Sequence, residues 1–249
     1  MSGHSKWSTI KHKKAAIDAK RGKLWSKLGR AITMAAKTGS NPDDNPSLRL
    51  AMDKAKTANM PKDTIERAIK KGTGEIEGET YEECLYEGYA PGGVAVMCKV
   101  VTDNRNRSSP EVKKIFERAG GSLGAPNCVA FMFKKTGVIV IDAKETSEDR
   151  VMEVALESGA DDVSTSATIH EVLCQPEAFQ AVKAAIEAAD IKIESADISM
   201  VAENEVTIDL NRARKVMRLI DALEDHDDVD AVYSNFDLPD DVVAELAKE

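Results

Sequence analysis

Apolar residues recur every three or four positions through the first third of the chain, and this spacing is typical of helices. One helix is predicted over residues 15–38, and two shorter ones over residues 47–57 and 61–71. Pro61 suits the first position of the third helix, and Gly72 is its predicted C-terminal cap. The three helices together predict a small helical bundle.

The hydrophobic pattern changes to short strands and helices after a Gly- and Glu-rich linker at residues 73–80. Strands are predicted at 84–90 and 94–101, and a Pro-Gly-Gly turn joins them. A helix at 109–121 and a strand at 129–133 follow. These elements predict a second domain that is built on a sheet.

Between about residues 135 and 202 the predicted element order is βαββαβ, which is the order of a ferredoxin-like unit. Its elements are strands at 138–141, 162–166, 171–175 and 198–201, with helices at 148–158 and 177–189. A later helix at 211–224 and a strand at 229–233 have no core of their own, so they would complete the second domain.

We therefore predict an α+β protein, with an N-terminal small helical bundle followed by two α/β domains. The last of these, the ferredoxin-like βαββαβ unit, is inserted in the middle one. The predicted domains are residues 1–79, residues 80–134 with 203–249, and residues 135–202.

The net charge of −9 conceals a basic first part. Residues 1–71 hold 17 Lys and Arg against 6 Asp and Glu, whereas residues 72–249 hold 17 against 37. A basic segment attached to an acidic body indicates contact with nucleic acid. Two other interpretations stay open: a solvated basic face, or docking of the basic segment on the acidic body.

The basic first part supplies most candidate contact residues, because Lys and Arg neutralise phosphates and release counterions. These candidates are Lys6, Trp7, Lys11, His12, Lys13, Lys14, Lys20, Arg21, Lys23, Lys27 and Arg30. Trp7 precedes any apolar stripe, so base stacking and core packing are both open for it. Trp25 lies beside the apolar stripe of its helix, which favours core packing.

Arg105 and Arg107 are a second set of candidates, on a predicted loop Asp-Asn-Arg-Asn-Arg that ends the strand at 94–101. Guanidinium groups bind phosphate in a forked geometry. The alternative is that these arginines pair with the nearby Glu111 or Glu117.

No pattern of catalytic residues is present, and we assign no catalytic residue, cofactor or metal. Neither the four histidines nor the four cysteines have the spacing of metal ligands. No apolar run approaches the roughly 18–20 residues that span a bilayer. The first residues include Lys and His, unlike the apolar stretch of a secretory signal. We expect a cytoplasmic protein with no membrane partner and no small-molecule substrate.

Seven motifs occur in order along essentially the whole chain, at residues 3–7 (GHSKW), 10–23 (IKHKKAAIDAKRGK), 59–63 (NMPKD), 86–93 (YEGYAPGG), 103–107 (DNRNR), 120–124 (GGSLG) and 217–232 (MRLIDALEDHDDVDAV). Together these motifs resemble those of the YebC/PmpR family. The resemblance implies three domains, one helical and two α/β, without catalytic residues.

The resemblance also implies a function. The family is usually described as DNA-binding transcriptional regulators, while its mitochondrial relatives are associated with translation and some bacterial members with ribosomes at proline-rich sequences. Our first hypothesis is therefore a non-enzymatic regulator of gene expression that binds DNA. The alternative is a ribosome-associated translation factor that contacts ribosomal RNA, and an undetected enzyme is the remote third hypothesis.

Overall fold

The structure is a computed structural model that describes residues 21–166 and 168–246. Within these residues the chain separates into two compact units. One unit contains residues 21–128 and 211–232, and the other contains residues 129–210 and 233–246. Residues 129–210 of the second unit interrupt the first unit along the chain, and residues 233–246 follow it; we call the second unit the inserted unit.

The secondary-structure elements alternate between helix and strand after the first three helices. In chain order they are α1 (Arg21–Ala36), α2 (Pro46–Thr57), α3 (Lys62–Thr73), β1 (Glu82–Ala90), β2 (Val94–Thr102), α4 (Arg105–Arg118), β3 (Ser122–Leu123), a 3-10 turn (Ala130–Met132), β4 (Phe133–Asp142), α5 (Glu148–Glu157), β5 (Asp162–Thr165), β6 (Ile169–Cys174), α6 (Phe179–Ala188), β7 (Ile193–Ala202), β8 (Val206–Thr207), α7 (Leu210–Glu224), β9 (Val229–Ser234), β10 (Phe236–Asp237) and α8 (Asp240–Leu246).

The first three helices form the predicted bundle around one apolar core. Its buried residues are Ile32, Ala36, Leu48, Ala51, Ala55, Met60, Ile65 and Ala68. Asn45 joins two of the helices, because its side chain accepts a hydrogen bond from Leu48 N at 3.0 Å while its amide donates to Ala35 O at 2.8 Å. This side chain therefore caps the start of α2 and holds the end of α1.

The prediction that Gly72 caps α3 is wrong, since the helix continues to Thr73 and Gly74 is the cap, with a φ of 79°. Gly72 instead lies where α3 meets α1. A Cβ at this position would be 2.3 Å from Thr33 O and 2.7 Å from Ala36 Cβ. The position therefore needs glycine for close helix packing.

The sheet of the first unit has the strand order β3-β1-β2-β9, with β1 antiparallel to β2 and to β3. Central strand β2 is buried at every position except Lys99, because it has neighbours on both edges and is covered on both faces. Helix α4 buries Val112 and Phe116 and packs on β1, β2 and β3.

The inserted unit contains the predicted ferredoxin-like fold. Its sheet has the order β5-β6-β4-β7, with β4 antiparallel to β6 and to β7 and β5 antiparallel to β6. Helices α5 and α6 pack on each other and on this sheet. The fold class is confirmed as mixed helix and antiparallel sheet.

Two segments of this inserted unit differ from the sequence prediction. The strand predicted at 129–133 is wrong for its first part, because Ala130–Met132 forms a 3-10 turn and β4 begins at Phe133. Strands β8 and β10 pair in parallel, and neither was predicted. Residues 203–210 and 233–246 group with the inserted unit, and the division into three domains stays a prediction.

Candidate nucleic-acid interface

Most of the predicted basic segment lies outside the described residues. This applies to Lys6, Trp7, Lys11, His12, Lys13, Lys14 and Lys20. Arg21 is the first described residue of α1, and only its backbone is described. The structure therefore describes the side chains of five predicted contact residues: Lys23, Lys27, Arg30, Arg105 and Arg107.

Three cations of α1 contact the C-terminal end of α7 and the acidic turn after it. Lys27 Nζ donates to Glu224 O at 2.5 Å. Lys23 donates to the carbonyl of Asp225, and its Nζ lies 3.2 Å from a carboxylate oxygen of Asp227. The backbone carbonyl of Asp227 accepts a further hydrogen bond, which comes from the guanidinium of Arg30.

The last carbonyl groups of α7 explain why cations bind there. The last carbonyls of a helix lack partners within it and carry partial negative charge, so cations satisfy them. Burial lowers the pKa of Lys27, and repulsion from Lys23 and Arg30 adds to that effect, while Glu224 partly opposes it. Lys23, Lys27 and Arg30 therefore dock on the acidic part of the chain. This is one of the two interpretations that the charge distribution left open.

Trp25 occupies the position predicted for a core residue. It is partly buried against the helical core, and its indole Nε1 donates to Ala58 O at 3.0 Å. Since the polar atom of the ring already has a partner, Trp25 fixes α1 to the end of α2.

The segment of Arg105 and Arg107 was predicted as a loop, and that prediction is wrong from Arg105 onward. Asn104 is the N-cap of α4, and its side chain accepts a hydrogen bond from Arg107 N at 3.2 Å. Asn favours this position because its carbonyl satisfies a backbone N–H that has no partner within the helix. Both arginines therefore lie on the first turn of a helix.

The two arginines differ in their contacts. The guanidinium of Arg107 donates to Asp228 at 2.9 Å and to Asp103 at 2.8 Å, and these two hydrogen bonds, chiefly the one to Asp228, raise its pKa above the usual value. Within the described residues, Arg107 forms no ion pair with Glu111 or Glu117. Glu111 pairs with His226, and Glu117 pairs with Lys113. Arg105 is exposed.

Asp228 is the centre of a buried polar network. One of its carboxylate oxygens accepts from Ser108 Oγ at 2.7 Å and from Thr102 Oγ1 at 3.2 Å, in addition to Arg107. Burial would raise the pKa of Asp228, but the hydrogen bonds from Arg107, Ser108 and Thr102 outweigh burial and lower it. Its backbone carbonyl also accepts from Val101 N at 2.8 Å. The network joins β2, α4 and the turn before β9.

His226 extends this network to the surface. Its Nδ1 accepts from Asp228 N at 3.1 Å, so Nε2 carries the proton and donates to Glu111 at 2.8 Å. The imidazole is thereby held by one partner on each ring nitrogen, which fixes the position of the turn relative to α4.

Arg107, Asp228 and His226 line an open cleft of about 720 Å³. Its positively charged residues are Arg30, Arg107, Lys114 and Arg118, and its negatively charged residues are Glu79, Asp103, Glu111, Asp225, Asp227 and Asp228. Both signs are therefore present, and the cleft is not a uniformly basic groove. Within the part of the chain that the structure describes, no three His, Cys, Asp or Glu side chains group as a metal site.

Two cations of the cleft, Lys114 and Arg118, were not among the contact residues predicted from the sequence. Lys114 and Arg118 are exposed and four residues apart on α4, so they lie on one face of this helix. Among the described residues neither forms an ion pair. Helical spacing from Arg107 onward could have found them if the helix had been predicted to begin at Arg105.

A further set of cations lies on α3. Arg67, Lys70 and Lys71 fall on one side of the helix, and the first two are exposed. Cations in the last turn of a helix stabilise it, and Lys70 and Lys71 lie in the last turn of α3. The exposed side chains of Arg67 and Lys70 are also accessible to a phosphate.

Over residues 21–166 and 168–246, no helix has both the length and the apolar character that crossing a bilayer requires.

Comparisons with known proteins cover nearly the whole chain. A family model described as the TACO1/YebC protein N-terminal domain matches residues 5–75. A second model, the TACO1/YebC second and third domain, matches residues 81–236.

Individual relatives give the same result. A probable transcriptional regulatory protein of Desulforapulum autotrophicum is 53% identical over 243 residues, which cover 97% of this chain and 98% of the relative. One of Geobacter sulfurreducens with the same description is 54% identical and covers 96% of each chain. Among solved structures, a conserved hypothetical protein of Aquifex aeolicus matches with a TM-score of 0.82 and 50% identity, over 92% of this chain and 96% of that one.

Proposed function

Because this chain belongs to the TACO1/YebC family, we propose that it is a non-enzymatic regulator of gene expression that binds the phosphate backbone of nucleic acid in the cytoplasm. The observation that carries the proposal is the division of charge, with 17 Lys and Arg against 6 Asp and Glu in residues 1–71. The description of its relatives as probable transcriptional regulatory proteins supports a regulatory role.

The contacts of α1 narrow the choice of phosphate-binding residues. The helix buries Ile32 and Ala36 in the bundle core, and its cations Lys23, Lys27 and Arg30 contact the end of α7. We therefore assign phosphate binding chiefly to the five lysines of residues 1–20. The cations of α1 have another role, which is to hold the helical bundle on the acidic turn after α7.

DNA is the first candidate partner, because the relatives are described as transcriptional regulators. Recognition of a single promoter requires side chains that contact base edges, commonly Arg, Asn or Gln from a helix in the major groove. Helix α1 is not suited to this, because its basic face is already in contact with α7. The proposed binding is accordingly led by phosphates and not by base sequence.

Ribosomal RNA is the second candidate partner, and the same observation favours it. Double-stranded RNA is bound mostly through its shape and its phosphates, which does not require a base-recognising helix. Lysines are compact charges that suit this kind of contact.

One experiment separates the two partners. The affinity of the purified chain is measured by fluorescence anisotropy for a promoter fragment and for a scrambled duplex of the same length, and co-sedimentation with ribosomes is measured at low and high salt. We expect less than about tenfold discrimination between the duplexes and ribosome binding that is lost as salt rises. Discrimination of about 10³ or more without ribosome binding would establish the promoter function instead.

A further inference from the structure

Phe131 is the most exposed large apolar residue among the described residues, with 74% of its surface accessible. The apolar residues two positions away on either side are buried, since Val129 is 0% and Phe133 is 7% exposed. Exposing a phenylalanine forgoes most of the ~1.5–3 kcal/mol that its burial would contribute to folding. A binding role would explain this arrangement.

The backbone conformation is what turns Phe131 outward. In a strand, residues 129, 131 and 133 would share one face, and all three would be buried together. Ala130–Met132 instead forms a 3-10 turn, in which each residue advances by about a third of a turn. Residues two apart therefore point to different sides, so that Val129 faces the core and Phe131 faces solvent.

Two cations follow Phe131 on a two-stranded ribbon. Strand β6 pairs with β4 only over Gly137–Asp142, whereas β7 pairs with β4 from Phe133 onward. Residues 133–136 therefore form a two-stranded ribbon with residues 199–202. Lys134 and Lys135 are exposed on this ribbon and, as successive residues of a strand, lie on its opposite faces. Within the described residues neither forms an ion pair, although Glu203, whose backbone N donates to Met132 O at 2.9 Å, adds one negative charge nearby.

We propose that Phe131 is a stacking platform for an unpaired base of single-stranded nucleic acid, with Lys134 and Lys135 contacting the adjacent phosphates. The proposal rests on the proposed function and specifies it further. Exposed aromatic rings together with cations are the combination by which proteins bind single strands without sequence preference, and here the cations follow the ring within four residues. In a duplex the faces of the bases are already stacked on each other, so the ring would have no free base to meet.

The test compares full-length variants on a single-stranded RNA and on a duplex of the same length. Phe131→Ala should bind the single strand between about 5-fold and 150-fold more weakly, and should bind the duplex with less than a twofold change. Phe131→Trp should retain the affinity, and its added fluorescence should be quenched by the single strand. Leu156→Ala is the matched control, because Leu156 is also apolar and 47% exposed in the same unit; it should bind like the wild type.

Salt dependence separates the ring from the lysines. Replacing Lys134 and Lys135 by Gln should reduce the slope of log affinity against log salt by about 0.7 per contact on a single strand. Phe131→Ala should leave that slope unchanged while the affinity falls, because stacking displaces no counterions.

Three results would overturn the proposal. If the wild type binds nucleic acid and Phe131→Ala binds the single strand equally well, the stacking role fails while the proposed function stands. If Phe131→Ala changes only the oligomeric state in sedimentation, Phe131 belongs to a contact between copies of the chain. If the wild type binds no nucleic acid at all, the proposed function fails and the stacking role fails with it.

Discussion

Replacement of Asp228 by Ala tests whether the buried network holds the first unit together. Asp228 is 6% exposed, and the two hydroxyl residues that donate to it, Ser108 and Thr102, are each 0% exposed. The variant removes the common acceptor of these side chains. The two hydroxyls lie 2.8 Å apart, so one of them can donate to the other in place of the carboxylate.

The magnitude follows from this partial replacement. Hydrogen bonds to a charged group contribute roughly 1.5–3 kcal/mol each. Three bonds to the carboxylate are lost, two from the hydroxyls and one from Arg107. The exposed Arg107 contributes little because it keeps Asp103 as a partner. Since a neutral bond between the hydroxyls is kept, Asp228→Ala should reduce the free energy of unfolding by about 2–4 kcal/mol. Asp228→Asn keeps an oxygen acceptor and should cost less, about 1–2 kcal/mol.

Urea-induced unfolding measured by tryptophan fluorescence is a suitable assay, because Trp25 lies in the same unit. The matched control is Asp227→Ala, since the Asp227 side chain is 76% exposed and, within the described residues, makes a surface ion pair with Lys23; its effect should be below about 0.5 kcal/mol. If Asp228→Ala destabilises the protein no more than the control does, the assigned role of the network is wrong.

The pH dependence gives a second check on Asp228. Because its pKa is lowered in the folded protein, the carboxylate stabilises the fold at pH values above about 4, the usual pKa of an unfolded Asp. This contribution is lost as the pH falls through the lowered pKa. The stability difference between wild type and Asp228→Asn should therefore disappear in acid, and a difference that grows in acid would contradict the lowered pKa.

Three further predictions concern other sites. Gly72→Ala should lower the free energy of unfolding by about 1–3 kcal/mol, because the added methyl group would overlap the carbonyl oxygen of Thr33 in α1. Gly29→Ala should raise the free energy of unfolding by about 0.5–1 kcal/mol, because the nearest atom to its added methyl group is 3.7 Å away. Thermal unfolding measures both effects. Arg107→Ala should lower the melting temperature, because it removes a donor to buried Asp228, and Arg105→Ala should leave it unchanged. Burial raises the pKa of Cys98 to about 12, so its thiol should react with a disulfide reagent at pH 8 only after urea unfolds the chain.

The elements of the fold could be predicted because each one depends on a local pattern. The apolar spacing placed the start of α2 within one residue and the start of α7 likewise. The βαββαβ order was sufficient to predict the ferredoxin-like sheet, since few topologies satisfy that order. The prediction for residues 129–133 failed because a short continuous apolar run, here Val-Ala-Phe-Met-Phe, is consistent with a buried strand. Only the tertiary structure selects the 3-10 turn at Ala130–Met132.

The contacts of the candidate interface could not be predicted in the same way. Arg107 pairs with Asp228, which is 121 residues away in the chain, and Lys27 contacts Glu224 across 197 residues. The sequence suggests only partners that are close in the chain, such as Glu111. Charge counts showed that the first part is basic, but they could not separate cations that hold the fold from those available to a ligand.

The central claim is that the lysines of residues 1–20 bind phosphates, and the salt dependence of binding to a duplex tests it most directly. If Lys6, Lys11, Lys13, Lys14 and Lys20 are all replaced by Gln in the full chain, the slope of log affinity against log salt should shrink by about 4–5, or roughly 0.9 per lost contact. The control replaces Lys23, Lys27 and Arg30 by Gln; it should lower the melting temperature and leave the slope nearly unchanged. Equal slopes and equal affinities for the wild type and the five-lysine variant would contradict the claim.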